Sequence, residues 1–459
     1  MANMDEKVYG SSQEKLALLF DAGSFVELGA YTKRSGTTDQ FESVVCGYGS
    51  VNGALTFAFI QDSGRTRGAF GEQHARKIAN LYSLATKNGA PVIGVFDSAG
   101  AVVYDGAGAL SAYGSFMKTV SDASGIIPQI AIVDGVCGGS SAIIASMFDL
   151  TVTVKDHASL YVNAPFVVGK EAGTPDFAAA NGLSAHTAAT SAEAFAFARS
   201  LIALLPQNNA DSIAREATDD LNRAMTFDPT SYTADALCAE LADGGAFVRL
   251  YEGYTDKAVL GLASVGGIVT GMIASNPEKK GIVDVRTARA AAKLISFCDA
   301  FGIPVVTLVD SEGLDVSMEA ENASYAAELA RLAMAYTTSE NAKITVVIGK
   351  AYGAAFTLLG SKAVGADLAY ALEDSVVSVL SPEASVAFVW NNRVGEKSRE
   401  ELENEWKSQH ASAKAAADTG AIDDVIEAAD LRRRICAGLL MLSAKAEGTP
   451  SRRHASLPL

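Results

Sequence analysis

Cysteine is scarce in this 459-residue chain, and the five present (Cys46, Cys137, Cys238, Cys298 and Cys436) form no Cys-x-x-Cys pair. That scatter excludes a zinc ribbon and a disulfide framework, and leaves each thiol as a small buried hydrophobe. Histidine is equally sparse: His74, His157, His186, His410 and His454 have no Ser or Cys partner in a catalytic pattern, so structural roles are expected. There is no excess of basic charge. Lys and Arg number 37 against 53 Asp and Glu, a net charge of −16, which argues against a nucleic-acid partner. A small anionic ligand would need only a local basic patch. No long apolar run exists either; the best stretch, 126–147, is interrupted by Gln129, Asp134 and glycines. Asp5, Glu6 and Lys7 interrupt the start, so no secretory signal is expected.

Chemical motifs are missing as well. There is no P-loop and no metal-ligand spacing, so neither ATP nor a metal is expected. Ser98 sits in FDSAG, which lacks the first glycine of G-x-S-x-G. Gly47 and Gly49, with Gly53, precede an apolar strand and not a helix, which rules out a dinucleotide fingerprint. What remains is glycine-lined backbone. A site built from N–H donors suits a reaction that develops an enolate or another oxyanion.

The centre of that pattern is residues 90–142. Two apolar strands each end in a loop of small residues, and the second loop opens a helix, whose first amides and positive dipole end favour an anion. The pattern occurs twice. Residues 74–100 align without a gap to 287–313, and 11 of these 27 positions are identical, among them Arg76, Pro91, Asp97, Ser98 and Gly100. With one more residue of shift, SVNGALT from Ser50 matches SVGGIVT from Ser264, and Gly139 faces Gly353. So long a period marks a duplicated domain and not a solenoid.

In chain order, the pattern predicts a short helix at 11–20, a hairpin over 44–62, a helix from Glu72 to a stop at Gly89, two strands over 149–165 and a helix at 193–205. Residues 206–246 are poor in strand signals and hold the boundary; the expected domains are 1–225 and 226–459. The second copy repeats the order, residues 396–418 read as one charged helix, and a further helix precedes a basic tail. Strands alternating with helices mean α/β with largely parallel pairing.

These segments resemble the carboxyltransferase subunit of biotin-dependent acyl-CoA carboxylases and the related subunit of sodium-pumping acyl-CoA decarboxylases. The likeness runs through nearly the whole chain. It is sharpest in GEQHARKI, SDASGIIPQIAIVDGVCGG, FCDAFGIPVVTLVDSEG, GKAYGAAF, LGSKAVGADLAYAL, AIDDVIE and the closing RRHASLPL. It implies two duplicated crotonase-like (ClpP/crotonase) β-β-α superhelical domains of the α/β class. The N-terminal one would bind acyl-CoA, the C-terminal one biotin. Domains from two subunits would pair at the site, in a homo-oligomer of six (a trimer of dimers).

By the same resemblance, Gly139 and Ser140 fall where backbone donors hold the thioester enolate, with Gly138 beside them and Gly100 and Ala101 on the adjoining loop. Gly353, Ala354 and Ala355 fall where donors face the biotin ureido oxygen, with Gly313 on the matching loop. Thr357 matches a position that helps set acyl-group preference. Arg65, Arg67 and Arg76 flank the first copy's helix and are candidates for the CoA phosphates. The implied activity moves a carboxyl group between carboxybiotin and a short acyl-CoA of the propionyl or methylmalonyl type. Biotin would arrive on a separate biotin carboxyl carrier protein, because no A-M-K-M motif occurs and Met117-Lys118 lies in a predicted helix. A biotin carboxylase subunit or a membrane decarboxylase subunit would be the further partner. The expected location is cytoplasmic, free or docked to a membrane complex.

The chain departs from the family pattern at SAGAVVYDG, at Gly138-Gly139-Ser140, at SEGLDVS and at SYAAELARLA. Three alternatives stand beside the carboxylase reading: a decarboxylase-complex subunit, a hydratase or isomerase on the same fold, and an acyl-CoA-binding scaffold. A hydratase needs a carboxylate on the helix after the glycine loop. The sole carboxylate in SAIIASMFD is Asp149, which reads as a helix-to-strand turn.

Overall fold

The structure is a computed structural model that describes residues 12–34, 40–446 and Ser456. His454 and most of the closing RRHASLPL lie outside the described residues. The chain forms two compact units, one up to Ser212 and one from Ile213. Between residues 206 and 246 no named strand occurs among the described residues.

The first unit holds strands β1 (Val26–Leu28), β2 (Val44–Val51), β3 (Ala54–Gln61), β4 (Val92–Ser98), β5 (Gln129–Gly138), β6 (Leu150–Val154), β7 (Ser159–Tyr161) and β8 (His186–Ala188). Among its helices are α1 (Glu72–Asn88), α2 (Ala107–Ala123) and α3 (Ser140–Met147). The sheet order is β1-β2-β3-β4-β5-β6-β8, with β7 on the end of β5. β2 and β3 are an antiparallel hairpin turned by Asn52-Gly53, both at positive φ (51° and 81°), the conformation a two-residue hairpin loop requires. From β3 onward the pairing is parallel. The sheet is therefore mixed, because the hairpin supplies antiparallel strands at one edge.

Strand β4 is buried almost throughout, which is why it reads as a continuous apolar run and not an alternating one. Helix α1 buries Ala75, Ile78, Leu81, Tyr82 and Ala85 on one face and stops at Gly89, which caps it at φ 60°. Phe59, Phe96, Phe116 and Phe148 meet at ring-centroid distances of 5.5–6.5 Å and fill the core between helices and sheet.

The second unit repeats this plan with β9 (Phe247–Leu250), β10 (Ala258–Val265), β11 (Ile268–Ser275), β12 (Val305–Ser311), β13 (Lys343–Tyr352), β14 (Leu368–Leu372), β15 (Val376–Ser378) and β16 (Asp424–Ile426). Among its helices are α4 (Val285–Ala300), α5 (Tyr325–Thr338) and α6 (Ala354–Leu358). Register confirms the duplication residue by residue. Val51 pairs Ala54 as Val265 pairs Ile268, and Phe57 pairs Val92 as Gly271 pairs Val305. Ser98 pairs Cys137 across a bulge, and Ser311 pairs Ala351 across the same bulge.

One expected element is broken. Residues 396–418 are not a single helix but Arg399–Trp406, a π turn at Lys407–Ala411 and Ala413–Asp418. Ser412 leaves the helical conformation and its hydroxyl caps the next helix at Ala415, so the side-chain cap competes with continuation.

Candidate active site

In each unit two loops leave the same end of two neighbouring parallel strands. After β4 the chain turns at Gly100, and after β5 it turns at Gly139 into α3. After β12 and β13 the corresponding turns are Gly313 and Gly353, the latter entering α6. All four glycines have positive φ (109°, 58°, 134° and 57°). At Gly100, Gly139 and Gly313 the space a Cβ would take is open; at Gly353 it would lie 3.3 Å from the Val379 carbonyl. Gly139 combines φ 58° with ψ −125°, a conformation that a side chain strongly disfavours.

The bulge preceding each turn has one cause. Asp97, at the end of β4, accepts the Val136 N–H at 3.3 Å, and Asp310 accepts the Lys350 N–H at 2.8 Å. Each carboxylate sits where a Cβ on Gly135 or Gly349 would clash. The sequence signal for this pair was its identity at the repeat offset. The serine after each aspartate closes the loop: the Gly100 N–H donates to Ser98 Oγ at 3.1 Å, and Gly313 N–H to Ser311 Oγ at 3.2 Å. Ser98 in turn donates to the Gly68 carbonyl at 2.6 Å, so it clasps the loop and is no nucleophile.

The free donors differ in part from those expected. The Gly139 N–H is already bonded to the Tyr161 carbonyl, and the Gly353 N–H to the Ser378 carbonyl, each at 2.9 Å. These glycines set the turn. The amides without an acceptor among the described residues are the next ones: Ser140 and Ser141 open α3, and Ala354 and Ala355 open α6, with the helix ladder starting one residue later at the Gly139 and Gly353 carbonyls. On the adjoining loops the Ala101 and Leu314 amides have no acceptor among the described residues. Each unit thus presents amides from two loops at one strand end, the arrangement that stabilises an oxyanion.

The other predicted residues scatter. Gly138 lets the backbone lie against the Tyr161 ring, 2.7 Å from where a Cβ would sit. Thr357 is exposed on α6. Arg65 pairs with Asp62 at 3.2 Å and Arg76 with Glu72 at 2.7 Å, so neither guanidinium is unengaged. Arg67 is exposed, in left-handed backbone (φ 57°), and its carbonyl accepts the Ala99 N–H beside Gly100.

The second copy carries side chains that sequence reasoning passed over. A cavity of about 420 Å³ opens at Gly353, walled by Glu312, Gly313, Lys350, Tyr352, Ala354 and Glu383 among others. Glu312 lies 2.8 Å from the Lys350 ammonium and 3.4 Å from that of Lys280. The Lys350 ammonium holds the Glu312 carboxyl below its ordinary range, and Glu312 raises Lys350 in return. Burial pushes the Tyr352 phenol up to about 12. Ala99, Val136 and Gly138 occupy the corresponding places in the first copy.

Residues 11–457 match the model of the carboxyl transferase domain. The chain belongs to the carboxyl transferase family. It is 29% identical to the propionyl-CoA carboxylase carboxyltransferase subunit of Haloferax mediterranei, over 100% of this chain and 95% of that one. It is 30% identical to the methylmalonyl-CoA decarboxylase subunit alpha of Propionigenium modestum, over 98% and 93%. Among solved structures it resembles transcarboxylase 12S, a hexamer with methylmalonyl-coenzyme A and methylmalonic acid bound, at a TM-score of 0.91 and 28% identity over 97% of this chain and 92% of that one. All five cysteines are buried, as expected of small hydrophobes, and burial raises Cys46 to about 12. Asp149 is the turn residue expected, accepting the Gln129 N–H at 2.8 Å. No metal-binding group and no helix long and apolar enough to cross a membrane occur among the described residues.

Proposed function

We propose that this chain is the carboxyltransferase component of a biotin-dependent system, moving a carboxyl group between biotin on a separate carrier protein and a propionyl- or methylmalonyl-type CoA thioester. The observation that carries the reading is the repeated donor set: unpaired helix-start amides beside an open glycine turn, once in each unit. One reaction that creates two oxyanions in turn, one on a thioester and one on a ureido group, calls for two such sets.

The first unit is taken as the acyl-CoA side. There the Ser140 and Ser141 amides, with Ala101, would hold the thioester oxygen as negative charge develops on it. No side chain at this loop offers a free base: Ser98 is clasped, burial raises the Cys137 thiol, and Asp97 is tied to Val136 and lies 3.9 Å from Lys15. Arg67 is the one candidate of the three arginines left for the CoA phosphates. The second unit is taken as the biotin side. The cavity at Gly353 is of a size to admit a small bicyclic ring, and the Ala354 and Ala355 amides fit its ureido oxygen. Carboxylated biotin supplies the activated carboxyl group when delivered. Assembly as a hexamer, and a carboxylase or decarboxylase partner, follow the relatives. The likeness to a decarboxylase subunit keeps the reverse direction open to the same residues.

The test is exchange of labelled carboxyl between methylmalonyl-CoA and a biotin carrier domain, with the purified protein alone. Transfer is expected without ATP or added metal. Thioester binding without any transfer would reduce the protein to a scaffold, and hydration of an enoyl-CoA would move it to the hydratase class.

A further inference from the structure

A buried ionisable cluster that the proposed transfer leaves unused lies against the first unit's Gly100 loop. His74, in the first turn of α1, has no exposed surface. Glu42, just ahead of β2, is buried with it, its Oε1 3.6 Å from Nδ1. Ser43 Oγ is 3.4 Å from Nδ1, and Nε2 lies 3.4 Å from Nε2 of Gln61, the last residue of β3. The Phe70 ring packs at 4.7 Å between centroids.

Gln61 dictates the state of the imidazole. Its Oε1 accepts the Asp97 N–H at 3.1 Å, so its amide nitrogen is the atom facing His74. That nitrogen can only donate. His74 Nε2 must therefore offer a lone pair, and the ring proton sits on Nδ1, toward Glu42 and Ser43. The ring is neutral. Burial holds it below the ordinary histidine value, Glu42 opposes that and Lys77 reinforces it. The other charged groups packed around it are themselves engaged: Lys77 with Glu27 of β1 at 3.1 Å, and Asp62 with Arg65.

The cluster reaches the Gly100 loop from both flanks. Through Gln61 it holds Asp97, three residues before Gly100. Ser43, in contact with the ring, donates to the Ala69 carbonyl at 3.0 Å, and the next residue, Phe70, donates its N–H to the Gly100 carbonyl at 2.9 Å. The second unit has no titratable group in the place of His74. Thr287 stands at the position of His74, and its hydroxyl meets that of Thr255, ahead of β10, at 2.8 Å.

We propose that neutral His74 is a positioning residue for the first glycine loop, holding Asp97 and Gly100 in register through Gln61, and that its protonation releases the loop. The acyl-thioester half of the reaction is then acid-sensitive and the biotin half is not. This rests on the assignment of the first loop to the thioester. The reason is donor arithmetic. A proton on Nε2 would face the Gln61 amide nitrogen, donor against donor. If Gln61 turned to accept it, its nitrogen would face the Asp97 N–H instead. One buried donor is stranded either way, which is worth roughly a tenfold change in loop population. The stability that neutral His74 contributes is complete above its unfolded value of 6.5 and is lost as pH falls below it, because the unfolded chain takes up the proton first.

Two readouts on the full chain test this. Propionyl-CoA affinity, measured by calorimetry from neutral pH down to the lowest pH at which the chain stays folded, should weaken roughly tenfold in the native protein once the depressed His74 value is crossed. It should lose that pH dependence in His74→Gln and in the double variant Glu42→Thr with His74→Thr, which replaces the ionisable pair with two hydroxyls. Hydrogen-exchange protection of residues 97–102 should fall with acid in the native protein alone, while 310–315 hold. Identical pH profiles in native and variant proteins by both readouts overturn the proposal. Should one variant not fold, the other decides. If the exchange result holds but no acyl-CoA binds at neutral pH, the loop is positioned as argued and its assignment to the thioester is what fails.

Discussion

The two units share a backbone and differ in what lines it. At the first, the strand end is bare: Ala99, Gly100, Val136, Gly138 and Ser140. At the second, the same positions are Glu312, Gly313, Lys350, Tyr352 and Ala354, and a charged pair stands beside the donors. Backbone amides are placed alike in both, since their placement depends on strand register and a glycine turn alone. On the proposed reading, the side chains around them would choose the ligand. A bare loop admits a thioester carried by a long CoA arm; a walled cavity suits a compact ring.

A second difference lies in how each hairpin turn is held. In the first unit Asp21 accepts from Ser50 Oγ, the Gly53 N–H and Arg199 at 2.8–3.0 Å. In the second, Asp243 accepts from Ser264 Oγ, the Gly266 and Gly267 N–H groups and Arg432 at 2.6–2.8 Å. The clamp is duplicated, but the Arg199 and Asp21 side chains are 25% and 32% exposed, whereas Arg432 and Asp243 are 0% and 2% exposed. For Asp243, burial raises the carboxyl and the bonds from Arg432 and the Gly267 amide outweigh it, leaving it lowered.

The largest expected effect breaks that symmetry. Arg432→Ala strands a buried carboxylate and should cost about 3–5 kcal/mol of unfolding free energy. Arg199→Ala, at a solvated pair, should cost far less. Denaturant unfolding of both variants measures it, and equal losses would show that burial is not what separates the two clamps.

Next is the function of the turns. Gly139→Ala and Gly353→Ala force a side chain into a conformation it disfavours, which should tilt the following amides out of line. Misplacing one oxyanion donor lowers the rate by roughly a hundred- to a thousandfold. The Gly139 change should weaken acyl-CoA binding and spare the biotin carrier; the Gly353 change should do the reverse. Half-affinities measured alongside thermal stability separate these outcomes. Loss of both affinities in each variant would mean the two units are not specialised.

The smallest effect concerns the arginines. Arg67→Ala should raise the CoA dissociation constant by roughly three- to tenfold and flatten its salt dependence, the size of one exposed charge contact. Arg65→Ala and Arg76→Ala should change it little, because carboxylates already hold both. An unchanged constant in Arg67→Ala removes the phosphate assignment from this loop.

Much of this was legible in one dimension. The duplication shows as a fixed offset because it is a copied stretch of chain. Gly100, Gly139, Gly313 and Gly353 show because a positive φ restricts the residue type, and strand and helix boundaries show through apolar periodicity and capping residues such as Gly89. The broken helix at 396–418 was missed because charge and propensity carry no trace of a hydroxyl leaving the ladder at Ser412.

Which donors are free was decided by the tertiary structure alone. Gly139 looks like a donor until Tyr161 folds back to take its N–H. Asp243 and Arg432 lie 189 residues apart in the chain and 2.6 Å apart in the fold. The proton on His74 is placed by Gln61, which is itself placed by Asp97. A residue's type and its backbone conformation are local properties, so the sequence determines them. Hydrogen-bond partners depend on which segments meet in space, and that is written only in the fold.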